Sequence, residues 1–232
     1  MWQKFVDKGI YYMINVAIDG PAGAGKSTVS RAVAKKLGFI YVDTGALYRS
    51  ITLNVVRNNA IGDVEKIVKL LDSTDVKLTF DEKGEQRVIL NGEDVSSFIR
   101  TPEISINTAT VSQIPEVREF LLGLQRKIAA ENNVIMDGRD IGSVVLPNAD
   151  KKIFLTASAE CRAKRRYDEL VAKGENVTYE DVLSDVNKRD YEDSHREIAP
   201  MKPTEESIIA DNTGMTVDES AEMVVKIING DD

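Results

Sequence analysis

The sequence predicts an α/β fold built on a doubly wound, five-stranded parallel sheet, with a small inserted β-containing lobe and an Arg-rich helical lid. Three observations predict it. Five short apolar runs have the length and composition of buried strands. Stretches of helical character alternate with them, as in a parallel sheet covered by helices. One internal region instead shows the strand–turn–strand pattern of a hairpin.

The elements follow in chain order. Strands are predicted at residues 14–19, 39–43, 134–137, 152–156 and 207–211. Helices are predicted at residues 26–37, 45–59, 115–131, 159–173 and 216–228. The hairpin is predicted at residues 76–80 and 86–90, inside a lobe of about 73–101. Residues 13–232 are expected to form one domain, with the lid at about 158–175. Residues 1–12 are expected to be an N-terminal extension or, alternatively, a short extra helix packed on the core.

Composition limits the classes of protein to consider. The 232 residues are 42% hydrophobic and 29% charged, which suits one sizeable globular core. The net charge of −8 argues against nucleic-acid binding through a broad basic face. No apolar run reaches transmembrane length, so no membrane partner is expected. The single cysteine, Cys161, permits no intrachain disulfide, which fits a reducing cytoplasm.

A phosphate-binding loop follows the first predicted strand. The segment GPAGAGKS at residues 20–27 matches G-x-x-x-x-G-K-[ST] in full, and a helix is predicted directly after it. Such a loop points its backbone N–H groups at phosphate oxygens, and the helix N-terminus adds positive charge. The lysine bridges the β- and γ-phosphates, and the serine ligates Mg²⁺. The residues expected to bind ATP are Gly20, Pro21, Ala22, Gly23, Ala24, Gly25, Lys26, Ser27 and Thr28.

A regulatory GTPase is the alternative from another class. Residues 187–190 spell N-K-x-D and residues 211–214 spell D-x-x-G, which are GTPase motifs. Their order is reversed, and no apolar strand precedes the first. A kinase is therefore the favoured interpretation, and nucleotide preference separates the two classes.

Two arginines follow other predicted strands. Arg49 lies in DTGALYR at residues 43–49, and Arg139 lies in DGRDIG at residues 137–142. Arginine binds phosphate in a bidentate manner, and ligands of open α/β sheets bind at the carboxyl ends of the strands. The two arginines therefore predict an anionic acceptor.

The segments GPAGAGKST, DTGALYR, PEVRE, DGRDIG, RAKRR and KRDYEDSHR, in this order, resemble those of bacterial cytidylate kinases. The resemblance runs from about residue 14 to residue 229. It implies transfer of the γ-phosphoryl group of ATP to CMP or dCMP, with Mg²⁺ as cofactor, by a monomer. A kinase for UMP or AMP remains the alternative, followed by a kinase acting on a non-nucleotide alcohol.

The resemblance also implies residue roles. Catalysis would involve Lys26, Arg139 and Arg196. The groups expected to bind the acceptor are Arg49 and Arg139 at its phosphate, Arg118, Asp140 and either Thr110 or Ser112 at its base, and Arg189 and Asp193 at its ribose. Thr44 is also expected to bind the acceptor. Chemistry supports two of these roles, because a carboxylate suits the exocyclic amine of cytosine and an arginine suits its O2 and N3 acceptors.

Two helical clusters complete the predicted site. Arg162, Arg165 and Arg166 share one helix face at spacings of three and four, which suits a lid over the phosphates or, alternatively, a solvated surface. Arg189, Asp193 and Arg196 are expected on one face of a helix that begins near Thr178. The acceptor oxygen is already anionic, so catalysis is expected to rest on alignment and charge neutralisation rather than on a general base.

Overall fold

A five-stranded sheet in the order β10-β9-β3-β8-β4 dominates the fold. The computed structural model describes residues 6–7, 10–11, 13–81 and 85–231. The strands are β1 (Val6–Asp7), β2 (Ile10–Tyr11), β3 (Asn15–Asp19), β4 (Ile40–Asp43), β5 (Val76–Phe80), β6 (Gln86–Leu90), β7 (Glu93–Asp94), β8 (Val134–Asp137), β9 (Lys151–Thr156) and β10 (Ile208–Asp211). The helices are α1 (Lys26–Leu37), α2 (Thr44–Arg57), α3 (Val64–Leu71), α4 (Pro102–Val111), α5 (Pro115–Glu131), α6 (Ala159–Ala172), α7 (Tyr179–His195) and α8 (Val217–Asn229), with a π-helix at Ile141–Val145.

The sheet confirms the predicted doubly wound topology. β3 pairs in parallel with both β8 and β9, and β9 pairs in parallel with β10. The chain therefore extends the sheet on both sides of β3, which puts the end of β3 where ligands bind in such folds. Each of the five predicted strands lies within one residue of its observed ends.

The chain divides into two compact units, Val42–Ile128 and the remainder, Met1–Tyr41 with Ala129–Asp232. In the remainder, called here the first unit, α1 and α8 pack together. Their apolar positions repeat at helical spacing, so Val29 and Val33 are buried with Val224 and Ile228 in one cluster with the strands. This core fixes the P-loop between β3 and α1.

The second unit, Val42–Ile128, has its own core and contains the hairpin. β5 and β6 pair antiparallel at the predicted residues, and β7 adds to β6. The predicted lobe of about 73–101 lies inside this larger unit, and its bounds remain a prediction. Helices α3 and α4 were not predicted. α3 is only eight residues long, which is short for a helix to be recognised from its pattern, and α4 buries just two of its ten residues and so has no clear apolar face.

Two predictions concern segments of which the structure describes only part, the N-terminal extension and the hairpin turn. Within the proposed extension, β1 and β2 pair antiparallel, so these four residues are strand rather than the alternative helix. The rest of residues 1–12, and residues 82–84 of the predicted hairpin turn, lie outside the described residues. Among the described residues, no helix has both the length and the apolarity to cross a membrane.

Candidate functional site

Glycine permits the P-loop to take its path. Gly20 has φ +142°, and a Cβ there would fall 2.0 Å from the carbonyl oxygen of Leu155. Any other residue would collide with β9, because that oxygen belongs to backbone. Gly25, with φ +83°, is the N-cap of α1. The loop thus enters the helix in the left-handed conformation that glycine adopts without strain.

Lys26 is held inside the loop that it serves. Its side chain is buried, and Nζ donates to the carbonyl oxygen of Pro21 at 2.8 Å. Burial lowers the pKa of Lys26, and the neighbouring charge of Arg139 lowers it further, while Asp137 and Asp19 oppose both effects. A bound polyphosphate would add negative charge beside this ammonium and favour its protonated form.

Ser27 is linked to a carboxylate at the end of β8. Ser27 Oγ donates to Asp137 Oδ2 at 2.8 Å, and Tyr41 Oη donates to Asp137 Oδ1 at 2.9 Å. A hydroxyl and a carboxylate are the hard oxygen ligands that Mg²⁺ prefers, and Mg²⁺ commonly completes its shell with water and substrate phosphates. These residues fit the expected Mg²⁺ of a nucleotide complex. Within the described ranges, no group of three or more His, Cys, Asp or Glu side chains offers a site held by protein alone.

The DGRDIG loop is attached to the strand that leads into the P-loop. Asp19 Oδ1 accepts from the Ile141 N–H at 2.7 Å, and Asp19 Oδ2 accepts from the Gly142 N–H at 2.8 Å. These donors begin the π-helix, an irregular turn often found at functional sites. Burial raises the pKa of Asp19 to about 6, with Asp140 contributing, although the two N–H groups oppose the rise.

A charged cluster joins this loop to the end of α7. Arg139 Nε donates to Asp193 Oδ2 at 2.7 Å, and Arg196 Nη2 lies 3.8 Å from Asp140 Oδ1. Burial alone would raise the pKa of Asp193, but Arg139, Arg189 and Arg196 together hold it below its usual value. Four predicted acceptor groups, Arg139, Asp140, Asp193 and Arg196, therefore lie together.

The prediction that Arg189, Asp193 and Arg196 share one helix face is wrong for Arg196. Helix α7 ends at His195, and Arg196 is its C-cap with φ −65° and ψ 145°. Its Nε donates to the Ala199 carbonyl oxygen at 2.6 Å. Arg196 thus reaches Asp140 from extended backbone, while the exposed Arg189 remains on the helix.

The three arginines of α6 have three different environments. Arg162 is buried: its Nη1 and Nη2 donate to Asp190 at 3.0 and 2.6 Å, and Nη1 also donates to the Ala22 carbonyl oxygen at 3.1 Å. Arg165 donates to Asn212 and is 3.9 Å from the position of a Cβ on Gly25. Arg166 is exposed and pairs with Glu169. The predicted common face is thus not one surface: Arg162 and Arg165 support the P-loop and its surroundings, whereas Arg166 faces solvent, and its role in a lid stays a prediction.

In the second unit, Arg49 folds over the start of α2. Asp43, the N-cap of α2, accepts from the Ala46 N–H at 2.9 Å and from Arg49 Nη2 at 3.0 Å. A Cβ on Gly45 would lie 2.9 Å from Arg49 Nη1, so the glycine makes room for the guanidinium. Thr44 is buried in the first turn. The DTGALYR segment thus presents an arginine at a helix N-terminus.

The groups proposed for the base lie on α4 and α5 of the same unit. Arg118 Nη1 donates to the Ser112 carbonyl oxygen at 3.3 Å, and its guanidinium carbon lies 5.8 Å from the centre of the Tyr48 ring. Thr110 is exposed on the last turn of α4. The Arg118 contact uses the backbone of Ser112, whose Oγ donates to the Ala109 carbonyl oxygen at 3.4 Å, so the choice between Ser112 and Thr110 stays open.

Comparison with known proteins gives the family. A family model described as cytidylate kinase matches residues 16–230. The chain belongs to the cytidylate kinase family. Its relatives include the cytidylate kinase of Carboxydothermus hydrogenoformans, 52% identical over 93% of this chain and 97% of the relative. That of Caldanaerobacter subterraneus subsp. tengcongensis is 55% identical over 93% of this chain and 94% of the relative.

Membership of the cytidylate kinase family does not favour the GTPase alternative. Residues 187–190 lie inside α7 rather than after a strand, and Asp190 is paired with Arg162. Asn212, from the apparent D-x-x-G, donates through Nδ2 to the Ala24 carbonyl oxygen at 3.0 Å and supports the P-loop. Both apparent motifs thus have structural roles in this chain.

The structure also shows residues at the site that sequence reasoning missed. They are Asp19, Tyr41, Asp43, Asp137, Asp190 and Asn212. Four of the five sheet strands end in aspartate, and three of the missed residues are among these aspartates. This pattern was a usable signal, because a carboxylate at the end of a parallel strand faces the ligand edge of the sheet.

Proposed function

We propose that the protein transfers the γ-phosphoryl group of ATP to CMP or dCMP, giving ADP and CDP or dCDP. One observation carries the proposal: a complete P-loop and the Arg139–Asp140–Asp193–Arg196 cluster occur within one compact unit of a cytidylate kinase family member. The P-loop suits the phosphates of the donor. The cluster offers arginines for the phosphate of a nucleoside monophosphate and carboxylates for the hydroxyl and amine groups of its sugar and base.

Donor binding is assigned to residues 20–28. Backbone N–H groups of the loop and of the first turn of α1 would face the phosphates, and Lys26 would leave the Pro21 carbonyl oxygen for the β- and γ-phosphates. Ser27 and Asp137 would hold Mg²⁺, which when bound neutralises charge on the transferred group. Arg165 lies beside Gly25 and Asn212, where it would support the bound donor.

The acceptor roles follow the family resemblance. Arg49 and Arg139 would hold the phosphate of CMP, with Thr44 beside Arg49. Asp140 and Arg118, with Ser112 or Thr110, would read the cytosine, and Arg189 and Asp193 would hold the ribose. The Arg139–Asp193 pair, at 2.7 Å, would hold the proposed phosphate-binding arginine and the proposed ribose-binding carboxylate in position before CMP binds.

Alignment and charge neutralisation would supply the rate enhancement. The attacking oxygen of CMP is already anionic, so no group need remove a proton from it. Lys26, Arg139 and Arg196 would take up the charge that spreads over the transferred group. Arg166 would help to exclude water, the competing acceptor. The family resemblance also implies a monomer, and the single cysteine fits a reducing cytoplasm.

The test is ADP formation with CMP, dCMP, UMP, AMP and GMP in turn. CMP and dCMP should be much better acceptors than the purine monophosphates, with UMP behind them. Asp140→Ala should narrow the gap between CMP and UMP, because the carboxylate is the proposed partner of the cytosine amine. Lys26→Ala should abolish transfer in a folded protein. Equal wild-type rates with CMP and UMP would remove the cytosine preference and leave the kinase activity.

A further inference from the structure

The carboxylate of Asp43 binds two guanidinium groups, of which the acceptor site described above uses one. Arg100 Nη2 donates to Asp43 Oδ2 at 3.1 Å, and Arg49 Nη2 donates to the same oxygen at 3.0 Å. Arg100 lies between β7 and α4, far from Arg49 in sequence. Two arginines from separate segments of the second unit therefore meet at one atom.

The charges of this cluster do not cancel. Two guanidinium groups face one carboxylate, so the cluster carries a net positive charge. It lies at the N-terminus of α2, where the helix dipole adds further positive potential. Asp43 is only 8% exposed, whereas the Arg100 side chain is 59% exposed. The excess positive charge therefore faces solvent, while the negative charge is buried beneath it.

The geometry suits an anion with several oxygens. Because both Nη2 atoms bind one carboxylate oxygen, they are close enough for a single phosphate to contact both arginines. Each guanidinium has further N–H donors that can turn to such a ligand. Asp43 would not repel the phosphate strongly, since its oxygens already accept from the Ala46 N–H and from both arginines.

We propose that Arg100 is a second arginine for the acceptor phosphate, acting beside Arg49, with Asp43 holding both guanidinium groups ready for the nucleotide. This inference rests on the proposed function, because it assigns Arg100 to the phosphate of the same acceptor. The competing explanation is structural: the hydrogen bond from Arg100 to Asp43 would only stabilise the position of the segment before α4 against the end of β4.

The test compares Arg100→Gln with a matched control. Arg57 lies in the same unit and forms an exposed pair with Glu93, so Arg57→Gln removes a comparable ion pair away from Asp43. For Arg100→Gln we expect the KM for CMP to rise about tenfold or more, as a charged hydrogen bond to phosphate is lost, with the KM for ATP unchanged. Arg57→Gln should keep wild-type constants for both substrates.

Cytidine separates the two explanations, because it lacks the phosphate. Its inhibition constant against CMP should be the same in the wild type and Arg100→Gln, while calorimetry should show weaker CMP binding by the variant. Unchanged CMP binding, or equal weakening for cytidine and CMP, would overturn the proposal. If the wild type does not phosphorylate CMP, the proposed function fails, and the same comparison with its preferred monophosphate and the matching nucleoside still decides the role of Arg100.

Discussion

Asp19 is a buried carboxylate whose two oxygens each accept from a backbone N–H, at Ile141 and Gly142. It precedes the first glycine of the P-loop, and its acceptor bonds fix the start of the π-helix that follows Asp140. One side chain thus links the donor loop to a residue proposed to read the base. Its burial makes the stability of the folded protein depend on pH.

The sign of that dependence follows from the pKa of Asp19, raised by burial to about 6 from 3.8. Between these values the unfolded chain loses a proton that the folded protein keeps, so stability falls as pH rises through this window. The full effect is about 3 kcal/mol, with roughly half of it between pH 5 and 7.5. Asp140 and Lys26 are the charged neighbours of Asp19.

Asp19→Asn removes this titration while keeping the shape of the side chain. We expect the stability of the variant relative to the wild type to increase by about 1–2 kcal/mol from pH 5 to pH 7.5. Urea unfolding of both proteins across this range measures the difference. A difference that is constant with pH would show that Asp19 has an ordinary pKa.

At the scale of elements, α6 and α7 share a small apolar cluster and are joined by an ion pair between the buried Arg162 and the partly exposed Asp190. Arg162 binds Asp190 through two nitrogens and also donates to the carbonyl oxygens of Ala22 and Ala157. A Cβ on Gly23 would lie 3.1 Å from Arg162 Cβ, so the P-loop packs directly on this arginine. The pair therefore positions α7, which carries Arg189 and Asp193, relative to the donor loop.

Loss of one partner should be costly. Asp190→Asn leaves the buried Arg162 guanidinium without a compensating charge, and we expect it to lower the free energy of unfolding by about 3–5 kcal/mol. Lys164 and Asp168 form an exposed pair on α6, the helix that carries Arg162. Asp168→Asn should therefore change the free energy of unfolding by less than about 1 kcal/mol. Chemical denaturation of both variants makes the comparison. Similar small losses in both would mean that the Arg162–Asp190 pair does not hold the helices.

The end of α7 gives a kinetic prediction. Asp193→Ala removes a proposed ribose ligand and releases Arg139, so we expect kcat/KM for CMP to fall about 10- to 100-fold, with the KM for ATP nearly unchanged. Arg196→Ala should lower kcat itself, because its charge matters most during transfer. Glu192→Ala is the control, since Glu192 is exposed and lies 3.9 Å from Lys188. Wild-type constants in both Asp193→Ala and Arg196→Ala would leave the cluster without a functional role.

These elements show what the sequence could and could not predict. Apolar runs and the P-loop motif are local, so the strands, and the loop that leads from β3 into α1, were predicted closely, while ATP binding by residues 20–28 stays a prediction. Partners far apart in the chain were not: Arg162 and Asp190 were assigned to separate patterns, and only the fold brings them together. The end of α7 was also missed, because no glycine or proline marks the change at Arg196, whose extended backbone lets it reach Asp140.

At the scale of the whole molecule, the first sheet strand is anchored after the N-terminal extension. The Ile14 N–H donates to Asn133 Oδ1 and the Asn15 N–H donates to Asp150 Oδ2, both at 2.8 Å. Val134 N–H donates to the Ile14 carbonyl oxygen. The family match begins at residue 16. The described strands of the extension, β1 and β2, pair with each other.

Deletion of residues 1–12 should therefore leave the catalytic constants for ATP and CMP unchanged, with little change in Tm. Met13 provides a start for the shortened chain, and the bonds of Ile14 and Asn15 remain. Deletion of residues 1–15 is the matched control: it removes both backbone donors and the first residue of β3, so Tm should fall by several degrees. Thermal unfolding and steady-state kinetics of the two shortened proteins make the test. A large fall in Tm on removing residues 1–12 alone would show that the extension packs on the core, as the alternative interpretation of this segment holds.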